Sequence, residues 1–331
     1  MMYRHVGYLG IALFGLGLFS TTIFAQQEPG ALPVGYPVRP IRVLLGVTAG
    51  GGLDAVTRAV SQKLSERLGQ SVIVDNRPGA SSTIAMSLTA SATPDGYTLM
   101  GATKTMILNG ATKKVPYDVL KAYVPISAMS TQVYVMLVNP SVPVKSINEL
   151  ISYAKARPGV LNYGTAGIGS LQHVGMELFN SMAGTKIIHV PYKGGGAAII
   201  DLVGGQIQVM PSVTISVGAH IRSGKLRAIA VTGSQRVQIL PDVPTVSESG
   251  VTGFELTNIY GLFSPAGTAP VIVSAINRQV GLVLGHPDLK NTFAADGVDA
   301  AEPNTPEQFK SIVAQEHNKW SAFIRESRIT F

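Results

Sequence analysis

The feature that most constrains the fold of this chain is a repeated order of apolar strand, glycine-rich loop and helix. The first copy, LLGVTAGGGLDAVTR, runs from an apolar segment through Gly50, Gly51 and Gly52 into a helical pattern with Asp54 in its first turn. The segment LNYGTAGIGSLQHVGMELF repeats this order, and VPYKGGGAAIIDLVGG does so again after the strand KIIHV. Strands that alternate with helices predict an α/β fold, with mostly parallel sheets and helices on both faces.

The glycine loops are suited to binding an anion. Glycine allows backbone N–H groups to converge on a ligand, and a helix N-terminus carries roughly half a positive charge. Such a loop can therefore bind a carboxylate, phosphate or sulfate at the carboxyl ends of the strands. The alternative is a tight chain turn with no ligand, and the loops by themselves leave that alternative open.

Known nucleotide and catalytic motifs do not fit these loops. Neither GGGLDAVTR nor GIGSLQH supplies the Lys and Ser/Thr of a phosphate-binding loop, and AGGGLDAV lacks the three-glycine dinucleotide spacing. GIGSL is not a nucleophile elbow, because Gln172 stands where its final glycine belongs. Ser170 and His173 lie three residues apart on a predicted helix. They are either a catalytic pair of a hydrolase or transferase, or a capping serine beside a packing histidine.

Metal and cofactor sites are also disfavoured. The chain has no cysteine, which excludes a disulfide framework, a thiolate metal site and a thiol nucleophile. His189, His220, His286 and His317 show no metal-ligand spacing. We therefore predict no metal, no cofactor and no enzymatic activity.

The N-terminus has the pattern of a secretory signal. Arg4 and His5 precede an apolar run from Val6 to Phe19, and small or apolar residues follow up to Ala25. This pattern predicts a signal peptide over residues 1–25, cleaved near Ala25, and an exported, periplasmic mature protein. An uncleaved membrane anchor is the alternative, but the run is shorter than the ~20 residues that span a bilayer.

The charge of the chain points to no nucleic-acid partner. The formal net charge is +7, but the Lys and Arg residues are scattered along the sequence rather than grouped. The glycine loops are not interleaved with aromatic residues. The basic balance therefore indicates a solvated surface or a mild attraction for anions.

A series of ordered motifs resembles a known family. From about Tyr36 to the last helix the chain is similar to the Bug family, the extracytoplasmic solute receptors of tripartite tricarboxylate transporters. The segments that carry the resemblance are YPVRPIRVLLGVTAGGGLDAVTRAVSQKLSERLGQSVIVDNRPGASSTIAMSLTASATPDGYTLM, VPYDVLKAYVPIS, NYGTAGIGSLQH, VPYKGGGAAIIDLVGGQI, LPDVPTVSESG and YGLFSPAGTAP.

The resemblance implies a two-domain periplasmic binding protein, with a ligand cleft between the domains and a hinge of crossing strands. Residues 34–131 and 257–331 would form domain 1, and residues 132–256 would form domain 2. The implied function is capture of a small organic carboxylate, a dicarboxylate or an aromatic acid, by a monomer that delivers it to membrane permease subunits.

The implied site has two loops on opposite sides of the cleft, Thr48–Asp54 and Thr165–Gln172. Both would offer backbone N–H groups to one carboxylate. Bridging waters would complete the polar contacts. We predict the following ligand-binding residues: Thr48, Ala49, Gly50, Gly51, Gly52, Leu53, Asp54, Ser81, Lys104, Tyr134, Thr165, Ala166, Gly167, Gly169, Ser170, Gln172, Tyr192, Lys193, Gly194 and Asn258.

Several residues depart from the family pattern. Leu53 stands where a small hydroxyl residue is usual, Ser81 and Ser82 replace a common glycine pair, and Asn258 and Ile259 occupy the place where an aromatic commonly sits. Lys104 lies where small polar residues are common. Two readings of Lys104 stay open: an ammonium that enters the cleft and favours a diacid, or a surface lysine whose stem lies on the sheet.

Overall fold

A computed structural model describes residues 1–2, 30–112, 115 and 117–327. Residues 3–25 of the predicted signal peptide lie outside the described residues. No helix within these ranges is long and apolar enough to cross a membrane.

The described chain alternates strands and helices. The strands are β1 (Ile41–Leu45), β2 (Val72–Asn76), β3 (Thr98–Ala102), β4 (Tyr123–Val133), β5 (Val135–Val138), β6 (Asn162–Thr165), β7 (Ile188–Pro191), β8 (Val209–Ser212), β9 (Arg227–Val231), β10 (Thr257–Pro265) and β11 (Asp299–Ala300). The helices are α1 (Gly52–Leu68), α2 (Thr83–Ala90), α3 (Lys104–Thr112), α4 (Val119–Ala122), α5 (Ile147–Ala156), α6 (Leu171–Ala183), α7 (Gly195–Val203), α8 (Thr214–Arg222), α9 (Pro270–Leu284), α10 (Pro287–Ala295) and α11 (Pro306–Ser327). A single turn of 3₁₀ helix, Ala80–Ser82, precedes α2.

The strands form two sheets, which define two lobes. The first sheet has the order β11-β4-β10-β3-β1-β2, and the second has the order β7-β6-β8-β5-β9. We call the lobe around the first sheet lobe 1 and the other lobe 2. Each sheet covers a separate part of the apolar core, with α1 and α9 packed on the first sheet and α6 on the second.

The prediction of mostly parallel sheets is wrong. Pairs β1–β2, β1–β3, β6–β7 and β6–β8 are parallel, but β4, β5 and β10 pair antiparallel with their neighbours. The reason lies in the path of the chain, which leaves lobe 1 along β4 and returns along β10. A strand that carries the chain back must run against the strand that carried it out.

The two crossing strands form the hinge between the lobes. β4 and β10 pair antiparallel over their full lengths, from Thr257 opposite Val133 to Pro265 opposite Tyr123. Tyr134 is the one residue between β4 and β5, so the chain passes directly from the first sheet into the second. Tyr134 N donates to Thr232 Oγ1 at 2.8 Å, and Leu256 N donates to Thr232 O at 2.8 Å. Thr232 thus joins the two crossing segments where they enter lobe 2.

The last helix, α11, contacts the cores of both lobes. It begins with a capping box, in which Thr305 N donates to Gln308 Oε1 at 2.8 Å and Gln308 N donates to Thr305 Oγ1 at 3.2 Å. Phe309 packs in lobe 1 against Phe263, at a ring distance of 5.2 Å. Trp320 belongs to the core cluster of lobe 2. The helix therefore adds an apolar connection between the lobes beside the hinge.

We predict that Trp320→Ala lowers the free energy of unfolding by about 3–5 kcal/mol, because it leaves a cavity in the lobe 2 core. Trp320 is 5% exposed and is the sole tryptophan of the chain. Urea unfolding followed by circular dichroism measures the change. The control is Asn318→Ala on the exposed face of the same helix. Equal stability of the two variants would contradict the bridging role of α11.

Candidate ligand-binding cleft

A cavity of about 60 Å³ lies between the two lobes, next to the hinge. One water molecule needs roughly 10–15 Å³, so the cavity accommodates a few waters or a small ligand. Residues from both lobes line it: Val47, Gly51, Gly52, Leu53, Ser82, Thr103, Thr105, Tyr134, Ala166, Ser170, Gln172, Gly195, Ile199, Ser212, Val213, Ser216, Asn258 and Tyr260.

The N-terminus of α1 presents unsatisfied donors to this cavity. Gly51 is the N-cap residue and has no side chain to accept the N–H groups of the first turn. The first N–H groups of a helix have no carbonyl partner within it, which here applies to Gly52 and Leu53. A Cβ at Gly52 would lie 2.3 Å from Val213 Cγ2, so only glycine fits where lobe 2 closes on this turn.

Asp54 does not line the cavity, and its side chain stabilises the first loop from outside it. Its carboxylate accepts the N–H of Gly50 at 3.1 Å, Nδ2 of Asn76 at 2.9 Å and Nε of Arg58 at 3.0 Å. Burial raises the pKa of Asp54, but the hydrogen bonds from Arg58, Asn76 and Gly50 outweigh it and hold the pKa below its usual value. The carboxylate is therefore ionised at neutral pH and fixes Gly50 in its left-handed conformation, with φ +81°.

The second loop is internally satisfied, so the prediction that it offers its backbone N–H groups is wrong for three residues. Ala166 N donates to Gln172 Oε1 at 2.8 Å, Gly167 N to Thr165 Oγ1 at 3.1 Å, and Gly169 N to His173 Nδ1 at 3.1 Å. A backbone N–H that bonds within the chain is not available to a carboxylate. The two loops, alike in sequence, therefore differ in what they present to the cavity.

Ser170 and His173 have the geometry of a helix cap. Ser170 Oγ accepts the backbone N–H of His173 at 3.3 Å, and this caps α6. Nδ1 of His173 accepts the N–H of Gly169. The hydrogen bond between the two residues thus runs to the backbone, which fits the capping alternative rather than a nucleophile and its base.

The third glycine run closes the cleft from lobe 2. A Cβ at Gly194 would lie 2.6 Å from Thr48 N, and a Cβ at Gly196 would lie 2.4 Å from the carbonyl oxygen of Ala49. Ser81 Oγ adds a hydrogen bond to the carbonyl of Ile168 at 2.5 Å. The lobes thus meet backbone against backbone in the closed form.

The end of the cavity nearest the hinge is lined by neutral polar groups. Asn258 Nδ2 donates to the Tyr134 hydroxyl at 2.8 Å. Burial raises the pKa of Tyr134 and of Tyr260, so both hydroxyls stay protonated at neutral pH. Ser216 Oγ is buried with no partner in the described part of the chain. No Lys, Arg, Asp, Glu or His side chain belongs to the described residues that line the cavity.

Both readings of Lys104 are wrong. Its side chain is 3% exposed, and its ammonium forms an ion pair with Glu316 of α11 at 3.0 Å and a hydrogen bond with Thr257 Oγ1 at 3.3 Å. Burial lowers the pKa of Lys104, and Glu316 opposes that shift. Lys104 is the first residue of α3, and its side chain lies with Ile259 and Glu316, away from the cavity. Its neighbours Thr103 and Thr105 line the cavity.

Eight of the predicted ligand-binding residues line the cavity: Gly51, Gly52, Leu53, Tyr134, Ala166, Ser170, Gln172 and Asn258. Twelve do not: Thr48, Ala49, Gly50, Asp54, Ser81, Lys104, Thr165, Gly167, Gly169, Tyr192, Lys193 and Gly194. Most of these twelve brace a loop or close the lobes. Tyr192, for example, donates its hydroxyl to Asp201 at 2.7 Å, and Lys193 is exposed.

Ten lining residues were not predicted, among them Thr103, Ser212, Val213 and Tyr260. A usable signal existed for three of them. Thr103 follows β3 directly, and Ser212 and Val213 stand at the end of β8. Ligands of α/β sheets bind at the carboxyl ends of strands. The position of these three residues at strand ends therefore predicts them as lining residues, even where no glycine run follows the strand.

Two mixed sheets, joined by crossing strands around a cleft, define a two-domain periplasmic binding protein. Residues 56–329 match the tripartite tricarboxylate transporter family receptor. The protein BugT of Bordetella pertussis is 36% identical over 315 residues, which cover 92% of this chain and 95% of BugT. This chain belongs to the tripartite tricarboxylate transporter receptor family, as its motifs predicted.

Solved structures show the same fold. The periplasmic binding protein BugD superposes with a TM-score of 0.85 at 29% identity, covering 89% of this chain and 99% of BugD. R. palustris Rpa4515 with adipate gives a TM-score of 0.86 at 31% identity, with the same coverages of 89% and 99%. MatC from Rhodopseudomonas palustris, with bound malate, gives 0.82 at 29% identity, over 87% of this chain and 99% of MatC. Of these neighbours, one is a periplasmic binding protein, and the other two were solved with adipate and with malate.

We predict that Lys104→Met lowers the free energy of unfolding by about 1–3 kcal/mol, because it leaves Glu316 without its buried cation. The double variant with Glu316→Gln should recover part of this loss. Urea unfolding of the wild type, both single variants and the double variant gives the coupling energy. A coupling energy near zero would contradict the ion pair.

Proposed function

We propose that this protein is a periplasmic receptor that captures a small organic carboxylate and delivers it to the permease subunits of a tripartite tricarboxylate-type transporter. The observation that carries the proposal is the uncapped N-terminus of α1, which faces a cavity between two closed lobes. Its N–H groups need an acceptor once water is displaced, and the helix dipole favours one with negative charge. A carboxylate meets both needs.

We also propose that the ligand is a short aliphatic dicarboxylate. The second carboxylate would lie near the hinge residues Tyr134 and Asn258, within a lining that also offers the hydroxyl groups of Thr103, Ser212 and Ser216. The buried Ser216 Oγ, which has no partner among the described residues, supports an acceptor in this cavity. Relatives with adipate and with malate agree with this class. An aromatic acid is the alternative ligand, and a screen of both classes of acid distinguishes the two.

The remaining parts of the proposal follow the sequence. Export with cleavage near Ala25, action as a monomer and the absence of enzymatic activity are proposed with it. The proposed division into domains is 34–131 with 257–331, and 132–256. It is supported by the membership of the two sheets, although the end of α11 packs on the second unit. Ser170 as a helix cap supports binding without catalysis.

We predict that adipate, malate or a related diacid raises the melting temperature of the mature protein, and that the matching diamide does not. A ligand at about 100 times its dissociation constant adds ~2.7 kcal/mol of stability. Hydrogen bonds to a charged acceptor contribute about 1.5–3 kcal/mol, against about 1 kcal/mol for a neutral one. Differential scanning fluorimetry at low salt provides the measurement.

Two outcomes would count against the receptor proposal. Equal shifts by the acid and its amide would contradict the anionic anchor at α1. Conversion of the diacid during a long incubation, detected by mass spectrometry, would contradict binding without catalysis. Recovery of unchanged diacid is the expected result.

We predict that Gly196→Ala weakens diacid binding by about 5- to 150-fold, since a close clash in a packed contact costs about 1–3 kcal/mol. The added methyl would collide with the carbonyl oxygen of Ala49 only when the lobes close. Gly281→Ala in α9 is the matched control, because it adds the same methyl to a helix outside the cavity, where a Cβ meets only Pro303 Cβ, at 3.9 Å. Isothermal titration calorimetry measures affinity.

Small-angle scattering of the same two variants tests the mechanism. With the diacid present, Gly196→Ala should keep a larger radius of gyration than Gly281→Ala. Equal affinities and equal radii would show that this contact does not control closure.

A further inference from the structure

Two histidines bond to the second loop on the side away from the cavity, and neither lines the cavity. His173 in α6 and His189 in β7 stack with ring centroids 3.9 Å apart and an interplanar angle of 17°. The ring of Tyr163 in β6 continues the stack at 5.0 Å from His189. All three rings stand on regular secondary structure, so their relative positions are fixed by the lobe 2 core.

Each imidazole contacts a different end of the loop. Nδ1 of His173 accepts the N–H of Gly169 at 3.1 Å, and Nε2 of His189 bonds to Thr165 Oγ1 at 2.7 Å. The same hydroxyl of Thr165 accepts the N–H of Gly167 at 3.1 Å. Gly167 and Gly169 have φ of +128° and +75°, so these bonds fix the two unusual turns of the loop.

What the loop holds in place is part of the closed cleft. Ala166 and Ser170 line the cavity, and the carbonyl of Ile168 receives the Ser81 hydroxyl from lobe 1. The N–H of Leu171, which follows Ser170, donates to Thr105 Oγ1 of lobe 1 at 3.2 Å. Loss of the loop conformation would therefore remove cavity wall and interlobe hydrogen bonds together.

The contact to Gly169 requires a neutral imidazole. A ring nitrogen that accepts a hydrogen bond must be unprotonated, and a proton on Nδ1 would face the N–H of Gly169. A cation on His173 would also lie in the first turn of α6, at the positive end of the helix. Two stacked imidazolium rings at this distance would repel each other.

We infer that His173, supported by His189, is a positioning residue that holds the second loop in its ligand-binding form only while the imidazole pair is neutral. This inference rests on the proposed receptor function. Acidification then releases the ligand because the imidazole pair is protonated, and this effect is separate from protonation of the ligand itself. No contact between either imidazole and the ligand is required.

The surroundings of the pair set the direction of the pH effect. Burial lowers the pKa of His189 to about 4, and His173 adds to the shift. The neighbouring titratable groups are Tyr163 and Glu177, and the Tyr163 hydroxyl donates to Glu177 at 2.5 Å. Burial raises the pKa of Tyr163, so it stays neutral. His189 is therefore neutral at pH 7 and takes up a proton as the pH falls towards 4, where its cation beside the ring of His173 removes the support of the loop.

The test compares two substitutions of His173. In His173→Asn the side-chain oxygen can accept the Gly169 N–H but does not titrate, whereas His173→Leu removes the acceptor. With adipate or malate as probe at about pH 7.5, we expect His173→Asn to bind within a few-fold of wild type. We expect His173→Leu to bind about tenfold more weakly, the loss of one hydrogen bond. His220→Asn on α8 is the control.

The pH profile separates positioning from simple packing. Between about pH 7.5 and about pH 3.5 the wild type should lose several-fold more affinity than His173→Asn, because an imidazole with a pKa of about 4 is mostly protonated only below that pH. Protonation of the probe affects both proteins equally, so the ratio of their dissociation constants isolates the protein. Parallel profiles, or a His173→Leu variant that binds as the wild type does, would overturn the inference.

A measurement without ligand keeps the inference separate from the proposed function. Hydrogen exchange of the amides of residues 166–171 should accelerate on acidification in the wild type more than in His173→Asn, after correction for intrinsic rates. If neither acid binds any variant, the receptor proposal for these acids fails, and the exchange result still decides the role of His173. Identical exchange in both proteins would overturn it.

Discussion

The closed structure depends on a simple constraint: the first turn of α1 has N–H donors with no acceptor inside the helix and no side-chain cap among the described residues. Gly51 as N-cap offers no side-chain oxygen, and the cavity in front of the turn is lined by neutral groups. Closure of the lobes removes most water from this turn, and buried backbone donors without acceptors are costly. An anionic acceptor therefore stabilises the closed form more than the open one, and this difference couples binding to closure.

The second condition for closure is that the lobes approach through backbone rather than side chains. Gly52 against Val213 and Gly196 against Ala49 leave no room for a Cβ. The hinge strands β4 and β10 and the apolar side chains of α11 connect the two lobes separately from this contact. The glycine runs thus serve two purposes, since one exposes donors to the cavity and another allows the opposite lobe to reach it.

Much of the architecture was readable from local patterns. The strand, loop and helix order predicted the α/β class. Parallel pairing was overestimated, because local patterns do not record that the chain crosses between lobes twice. Eight predicted residues line the cavity, and they come from the glycine loops and the hinge, where backbone conformation rather than side-chain direction decides position.

The sequence by itself determined that glycine-rich turns precede α1, α6 and α7, because backbone freedom and helix starts are encoded within a few neighbouring residues. Only the tertiary structure decided which turn keeps unsatisfied donors. Gln172, Thr165 and His173 accept the N–H groups of the second loop, while in α1 the Asp54 carboxylate accepts the N–H of Gly50 and no side chain caps the first turn. It also decided that Lys104 pairs with Glu316, 212 residues further along the chain and packed behind the hinge. Contacts over such separations are set by the packing of whole elements, which no local pattern contains.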